Sequence, residues 1–383
     1  MIDLDANATY APSESLQELV RAALDKLGGF SRLGNPSSIH RNGQRAKAAI
    51  EEAREQVRSL VGARPKDLVI FTSGASEANN TVISSATASG AHIVSSAIEH
   101  PCILEPLKLA ASRGVTVSLV SPDQNGEIAV KSVVAEVRSS TALVSIMAAN
   151  NETGVVNDIK GIADATRTAL PGALIHTDAA QMIGKMSLSF EDLGIDFATI
   201  SGHKFGALTG VGALIIRAGS PVLPLILGGP QESKLRGGTE NVLGIISLGV
   251  AASDIVGSLS ARESAMAQVR DTFERELLVA IPDCVINGAL VKRLPNTSSV
   301  WLPGIRAEDL LVALDLEGIL ISSGAACSSG KPEPSHVLSQ MGQPEERVRS
   351  TVRVSFRADQ DVEVARIAAS RIAQVVNRMR RAR

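Results

Sequence analysis

Lys204 closes the run Ser201-Gly202-His203-Lys204, directly after the apolar stretch Phe197-Ala198-Thr199-Ile200. Upstream, Ala173-Leu174-Ile175 delivers His176-Thr177-Asp178 and then Gln181. An amine and a carboxylate therefore end two strand-like segments, each framed by small residues. An amine held out of water loses proton affinity and becomes a nucleophile, which is what a carbonyl-binding lysine needs. Cys327 lies in Ser322-Ser323-Gly324-Ala325-Ala326-Cys327-Ser328-Ser329-Gly330, a stretch with no large apolar side chain. That composition reads as a loop, and a thiol that must travel needs one. A nucleophilic lysine and a mobile thiol together point to sulfur chemistry on a carbonyl cofactor.

Taken singly, each residue has a plainer explanation. Lys204 would be a surface lysine, and Asp178 the N-cap of a following helix. His100 would be a partly buried structural histidine. Arg353 would pair with a carboxylate such as Asp315, and Cys327 would be a small buried hydrophobe. Leu68-Val69-Ile70-Phe71 leads into Thr72-Ser73-Gly74-Ala75-Ser76-Glu77. Amides at a helix start bind phosphate, and Ser73 or Ser76 would equally cap the helix. Gly184-Lys185-Met186 and Gly330-Lys331-Pro332 fail the Walker pattern, and Gly210 with Gly212 lacks a third dinucleotide-type glycine.

The elements that must position these residues alternate. Gln44 to Val61 carries apolar residues at helical spacing. Strands are expected at Leu68–Phe71, Ile93–Ser95, Val115–Val120, Ala142–Met147, Ala173–Thr177, Phe197–Ile200 and Val211–Ile216, with helical patterns between most of them. This is an α/β sheet fed by crossovers. After about residue 255 a long helix (Ser260 to Ala280), short strands and a final helix (Asp361 to Arg380) read as a smaller α+β domain. A chain of 383 residues suits two domains. They are taken as 12–255 and 256–383, with residues 1–11 packing on the second.

Composition narrows the classes. With 44% apolar and only 2% aromatic residues, the core must be Ala, Val, Leu and Ile. A net charge of −2 argues against direct nucleic-acid binding, and the tail Arg378-Met379-Arg380-Arg381-Ala382-Arg383 reads as a solvated helix end. Cys102, Cys284 and Cys327 are far apart and form no metal or disulfide pattern, so no metal is expected. Cys102 and Cys284 lie beside apolar segments and read as structural. No signal-peptide or membrane-spanning pattern is present, which sets the expectation of a cytoplasmic protein.

A phosphate cradle, a carboxylate, a histidine and a lysine at strand ends are what pyridoxal phosphate needs. At these residues the chain resembles the cysteine desulfurases of the class V aminotransferase family, of the IscS/NifS type, over nearly its whole length. Leu4-Asp5-Ala6-Asn7-Ala8-Thr9 matches the family's opening segment, and Gly34-Asn35-Pro36-Ser37-Ser38 its Gly-Asn-Pro-Ser-Ser loop. The resemblance implies fold type I, with a large mixed-sheet domain and a smaller C-terminal α+β domain. It implies Ala75 and Ser76 in the phosphate cradle, and His100 stacked on the ring. Asn151 would lie near substrate and ring, Asp178 on the ring nitrogen and Gln181 on the ring hydroxyl. Ser201 and His203 would hold phosphate beside Lys204. Thr239, in Arg236-Gly237-Gly238-Thr239, would reach the neighbouring subunit's phosphate, hence a homodimer. Asn35 and Arg353 would hold substrate.

The implied reaction is cysteine desulfuration. Lys204 would hold the cofactor as an imine and remove the substrate's Cα proton. Cys327 would take the sulfur as a persulfide, and L-alanine would leave. His100 is a candidate proton donor. The persulfide would pass to a protein acceptor of an iron–sulfur, tRNA thiolation or DNA phosphorothioation system. The alternatives are a selenocysteine lyase or other lyase or aminotransferase of the same fold, and a non-catalytic binding subunit. The chain departs from the family at Gly206-Ala207-Leu208-Thr209-Gly210, where Gly-Pro-Lys-Gly is usual, and at Pro230, where glycine is common. Both changes fall at the expected mouth and dimer contact. They bear on partner choice and loop mobility more than on the central reaction.

Overall fold

The computed structural model describes residues 1–29, 32–87, 92–323 and 334–382. Cys327 lies outside the described residues. The strands in chain order are β1 (Ile2–Asp3), β2 (Leu68–Thr72), β3 (His92–Ser96), β4 (Val117–Val120), β5 (Thr141–Ser145), β6 (Leu174–Asp178), β7 (Phe197–Ser201), β8 (Gly212–Ile216), β9 (Val285–Asn287), β10 (Thr297–Trp301), β11 (Ile319–Leu320) and β12 (Thr351–Ser355).

Seven of them form one sheet in the order β2-β8-β7-β6-β5-β3-β4. Strands β4, β3, β5, β6 and β7 pair in parallel, and β8 runs against both β7 and β2. The sheet is therefore mixed through β8 alone. The carboxyl ends of β2, β3, β5, β6 and β7 share one edge, where open α/β sheets gather ligands.

Apolar alternation explains how the sheet is buried on both faces. Val69, Phe71, Val94, Val144, Ile175, Ala198 and Ile215 join one core cluster. Their neighbours Ile70, Ile93, Leu143, Phe197, Leu214 and Ile216 join another. Successive strand side chains point to opposite faces, so near-continuous apolar runs feed two layers at once. The first layer is closed by helices Arg41–Leu60 and Val242–Val256, the second by Ala75–Thr87 and Pro101–Ser112. At the helix contact on the first face, a Cβ on Gly249 would lie 2.6 Å from Ala53 Cα, so only glycine allows that approach.

A third core lies between the antiparallel sheet β12-β10-β9, the helices Leu259–Ala280 and Val362–Arg381, and the helix Ala307–Leu316. Cys284 is buried there. β1 pairs in parallel with β11, and Asp5 bridges to Ser355. The N-terminal residues are thus stitched to this third core. Among the described residues, no single helix is long and apolar enough to cross a membrane.

Candidate active site

The shared strand edge collects the chemistry. β7 ends at Ser201 and a single 3₁₀ turn, Gly202–Lys204, carries Lys204 off it. The Lys204 amine donates to two backbone carbonyls, Asn7 O and Ala8 O, both at 2.8 Å. Neither is a carboxylate. Burial and then the Arg353 cation push the Lys204 pKa down from 10.5 to about 8, against the pull of Asp178 and Asp5. The sequence expectation of a desolvated amine thus has a physical cause in the fold.

Asp178 ends β6 and is 6% exposed. Its Oδ2 accepts from Asn79 Nδ2 at 2.7 Å and its Oδ1 from Ala180 N at 2.9 Å. No helix follows it. The chain turns through residues 180–185, so the N-cap alternative is corrected to an Asx-type turn. Asn79 sits one turn inside the helix Ala75–Thr87. That helix start therefore lies beside Asp178. Ser73 N donates to Glu77 Oε2 at 2.8 Å, and the exposed hydroxyl of Ser76 makes no hydrogen bond among the described residues. The cap is supplied by Glu77, not by either serine. β8 presses on this turn: a Cβ on Gly212 would lie 2.8 Å from Gly74 Cα.

His100 is the N-cap of the helix Pro101–Ser112, its Nδ1 accepting from Cys102 N at 3.2 Å. An accepting Nδ1 leaves the ring proton on Nε2. Burial first, then the nearby Lys204 and His336, hold the His100 pKa below its usual value, while Asp178 pulls the other way. His203 Nδ1 lies 3.1 Å from Thr9 Oγ1, and burial with Lys204 lowers its pKa to about 4. Both imidazoles are neutral near pH 7.

Arg353, on β12, is 5% exposed. It pairs with Asp5 at 2.7 Å, not with Asp315, and donates to Asn151 O at 3.0 Å. Its buried Nε has no partner among the described residues. The side chain of Asn151 likewise makes no hydrogen bond there, although its carbonyl is used twice. Gln181 donates through Nε2 to Asn7 O at 3.1 Å.

The structure thus brings His100, Asn151, Asp178, Gln181, Ser201, His203, Lys204 and Arg353 to one place, with Ala75 and Ser76 beside Asp178. Asn35 and Thr239 stand apart. Asn35 is exposed and bonds within its own loop, to Ser37 N. Thr239 is exposed and has no hydrogen bond to the Lys204 cluster among the described residues.

Four residues at the site were not anticipated. Asn7 is fully buried and its carbonyl is one of the two that accept from Lys204, although it occupies an unspecified position of the opening segment. Asn79 holds Asp178, and only its helical spacing after the cradle could have signalled it. Lys185 is fully buried, in a Gly184-Lys185-Met186 run whose only sequence signal is a failed Walker match. Cys102, expected as a structural residue beside an apolar segment, lies next to the site. Its Sγ lies 3.0 Å from His100 Nδ1 and 3.1 Å from Asn79 Nδ2. Burial, reinforced by Asp178, pushes this thiol up to about 12, so it stays protonated. Among the described residues, no group of His, Cys, Asp and Glu could hold a metal ion.

Residues 4–365 match the model of the aminotransferase class-V family. A cysteine desulfurase of Nostoc sp. strain PCC 7120 is 40% identical over 359 residues, covering 93% of this chain and 88% of that protein. The solved structure of a NifS-like protein superposes with a TM-score of 0.90 at 32% identity, covering 98% of this chain and 99% of that one. DndA from Streptomyces lividans superposes with a TM-score of 0.75 at 35% identity, covering 90% and 97%. The chain belongs to the class-V aminotransferase family.

Proposed function

We propose that this chain is a pyridoxal phosphate-dependent cysteine desulfurase that moves the sulfur of L-cysteine onto Cys327. The carrying observation is Lys204: an amine desolvated to a pKa of about 8, bonded only to carbonyls, on the same sheet edge as a buried carboxylate.

The residues fit the cofactor. Ser76 and the helix start beside it suit a phosphate. Asp178, held on both oxygens, suits a ring nitrogen that must stay protonated. The neutral ring of His100 suits stacking. Once bound, the cofactor supplies an electron sink that makes the substrate's Cα proton acidic and its C–S bond labile. Everything else falls to the chain.

Arg353 grips the substrate carboxylate through its planar fork. Lys204, as the free amine, takes the Cα proton at Nζ and returns it. His100 holds its proton on Nε2 and would supply the departing fragment. Cys327, as thiolate, attacks the substrate sulfur; the S–S bond forms as the C–S bond breaks. The balance is L-cysteine plus Cys327 thiol giving L-alanine plus Cys327 persulfide. That persulfide then passes to a protein acceptor.

Two variants test the reading. Lys204→Ala should take up no coloured cofactor adduct and make no alanine. Cys327→Ser should still colour with pyridoxal phosphate and respond to cysteine, but make alanine at least about a hundredfold more slowly, because nucleophilic attack is lost. A serine variant that makes alanine at the parent rate would remove the thiol from the mechanism. Supplying selenocysteine in parallel separates a desulfurase from a selenocysteine lyase.

A further inference from the structure

Lys185 lies wholly inside the protein. It is 0% exposed. Its amine faces two oxygens, Gln181 Oε1 at 2.6 Å and Asn7 Oδ1 at 2.7 Å. Among the described residues no carboxylate pairs with it. Burial, and then the cations of Lys204 and Arg353, lower its pKa well below the usual lysine value.

That geometry decides which way two amides point. The Lys185 amine donates to the two atoms that face it, and both are amide oxygens. Gln181 is then fixed with Oε1 on Lys185 and Nε2 on the opposite side. Nε2 donates to Asn7 O, the same carbonyl that receives the Lys204 amine. One of the two Nε2 hydrogens is used there, and the other has no acceptor among the described residues. The rest of the network runs in one sense. Asn7 Oδ1 also accepts from Asn296 Nδ2, and Asn7 Nδ2 donates to Thr297 Oγ1, which donates to Asn296 Oδ1.

We propose that Lys185 is a positioning residue that locks the Gln181 amide with its nitrogen toward the pocket, as a donor to the anionic ring oxygen of the bound aldehyde. Through Asn7 the same lock holds the carbonyl on which Lys204 rests. The proposal rests on the cofactor reading above. Without Lys185 the amide keeps only its bond to Asn7 O, its oxygen loses the donor that faces it, and an inverted Gln181 would present an oxygen to an oxygen.

The test uses the full chain freed of cofactor and two probes: pyridoxal phosphate, and an analogue lacking only the ring hydroxyl. The parent should bind pyridoxal phosphate roughly tenfold more tightly than the analogue, about one hydrogen bond's worth. In Lys185→Met that preference should collapse to near unity while the analogue's affinity stays within about twofold. An equal loss for both probes would mean a merely structural role and overturns the proposal, as does a preference that survives. If Lys185→Met does not fold, Lys185→Gln carries the same test. It keeps one donor, so an intermediate preference supports the lock and full parental preference refutes it. A parent chain that binds neither probe refutes the cofactor reading instead.

Discussion

The ionisation of Lys204 is the point at which residue chemistry can be tested most directly. Its folded pKa is about 8 against 10.5 for the free side chain. Below about 8 the folded amine is protonated and cannot attack an aldehyde. The rate at which the cofactor-free protein takes up pyridoxal phosphate should therefore rise with pH to half its maximum near 8, followed by absorbance. A rate flat across that range would contradict the assignment. The stability linkage has a matching sign. Between these two pKa values the unfolded chain binds this proton more tightly than the folded one. The cost to stability is full below about pH 8 and is relieved as the pH climbs toward 10.5. Lys204 and Asp178 were legible because strand-end residues announce themselves after apolar runs. Lys185, Asn79 and Cys102 were not. Each acts through a contact made only when the helix Ala75–Thr87, the turn after Asp178 and the N-terminal segment converge.

Elements were legible in proportion to their length. The helix expected from Gln44 to Val61 is observed as Arg41–Leu60, and all seven strands of the large sheet fall within a few residues of their expected places. The short helices His336–Gln340 and Glu345–Arg349 went unread, because five residues cannot show a helical period. The loop around Pro230 was read only as a departure. In the structure Glu232, Ser233 and Lys234 all hold positive φ. The Glu232 carboxylate accounts for this: it bonds Arg54 through both oxygens and accepts from Phe71 N at 2.8 Å, fixing the loop to the end of β2. Packing between helices is tested at Gly249. Gly249→Ala would force its new carbon into Ala53 and should cost about 1–3 kcal/mol, the range for overpacking. Gly257→Ala meets nothing within 4 Å and should leave the melting temperature unchanged. If both variants melt alike, the helix contact is not the tight one described.

At the scale of the molecule, the N-terminal segment and one surface matter most. Residues 2–5 pair with the third core, and Asn7 then reaches the active-site edge of the large sheet. The domain division at residue 255 is proposed on this basis, with the first residues as the stitch between the two parts. The surface is the stretch 221–241. It exposes Leu223, Leu225, Ile226 and Leu227, the last to 81%, and Leu208 and Ile39 are exposed as well. So many large apolar side chains in one short stretch mark a protein contact. A cleft of about 380 Å³ lies between Pro36 and Ser37 on one side and Pro230 and Gln231 on the other. Arg236, in the same stretch, is tied to Glu77 at 3.0 Å, at the start of the helix beside Asp178. A second copy seated here would meet the surface that carries Thr239, which is exposed and without a role in its own site. Leu227→Asp places a charge at the centre of this apolar stretch. Light scattering should show the parent as a dimer and the variant as a monomer. If Thr239 serves the other copy's phosphate, the monomer should also hold pyridoxal phosphate at least about tenfold more weakly, through loss of a phosphate hydrogen bond. A variant that stays dimeric places the contact elsewhere, and a monomer with parental affinity separates Thr239 from the phosphate.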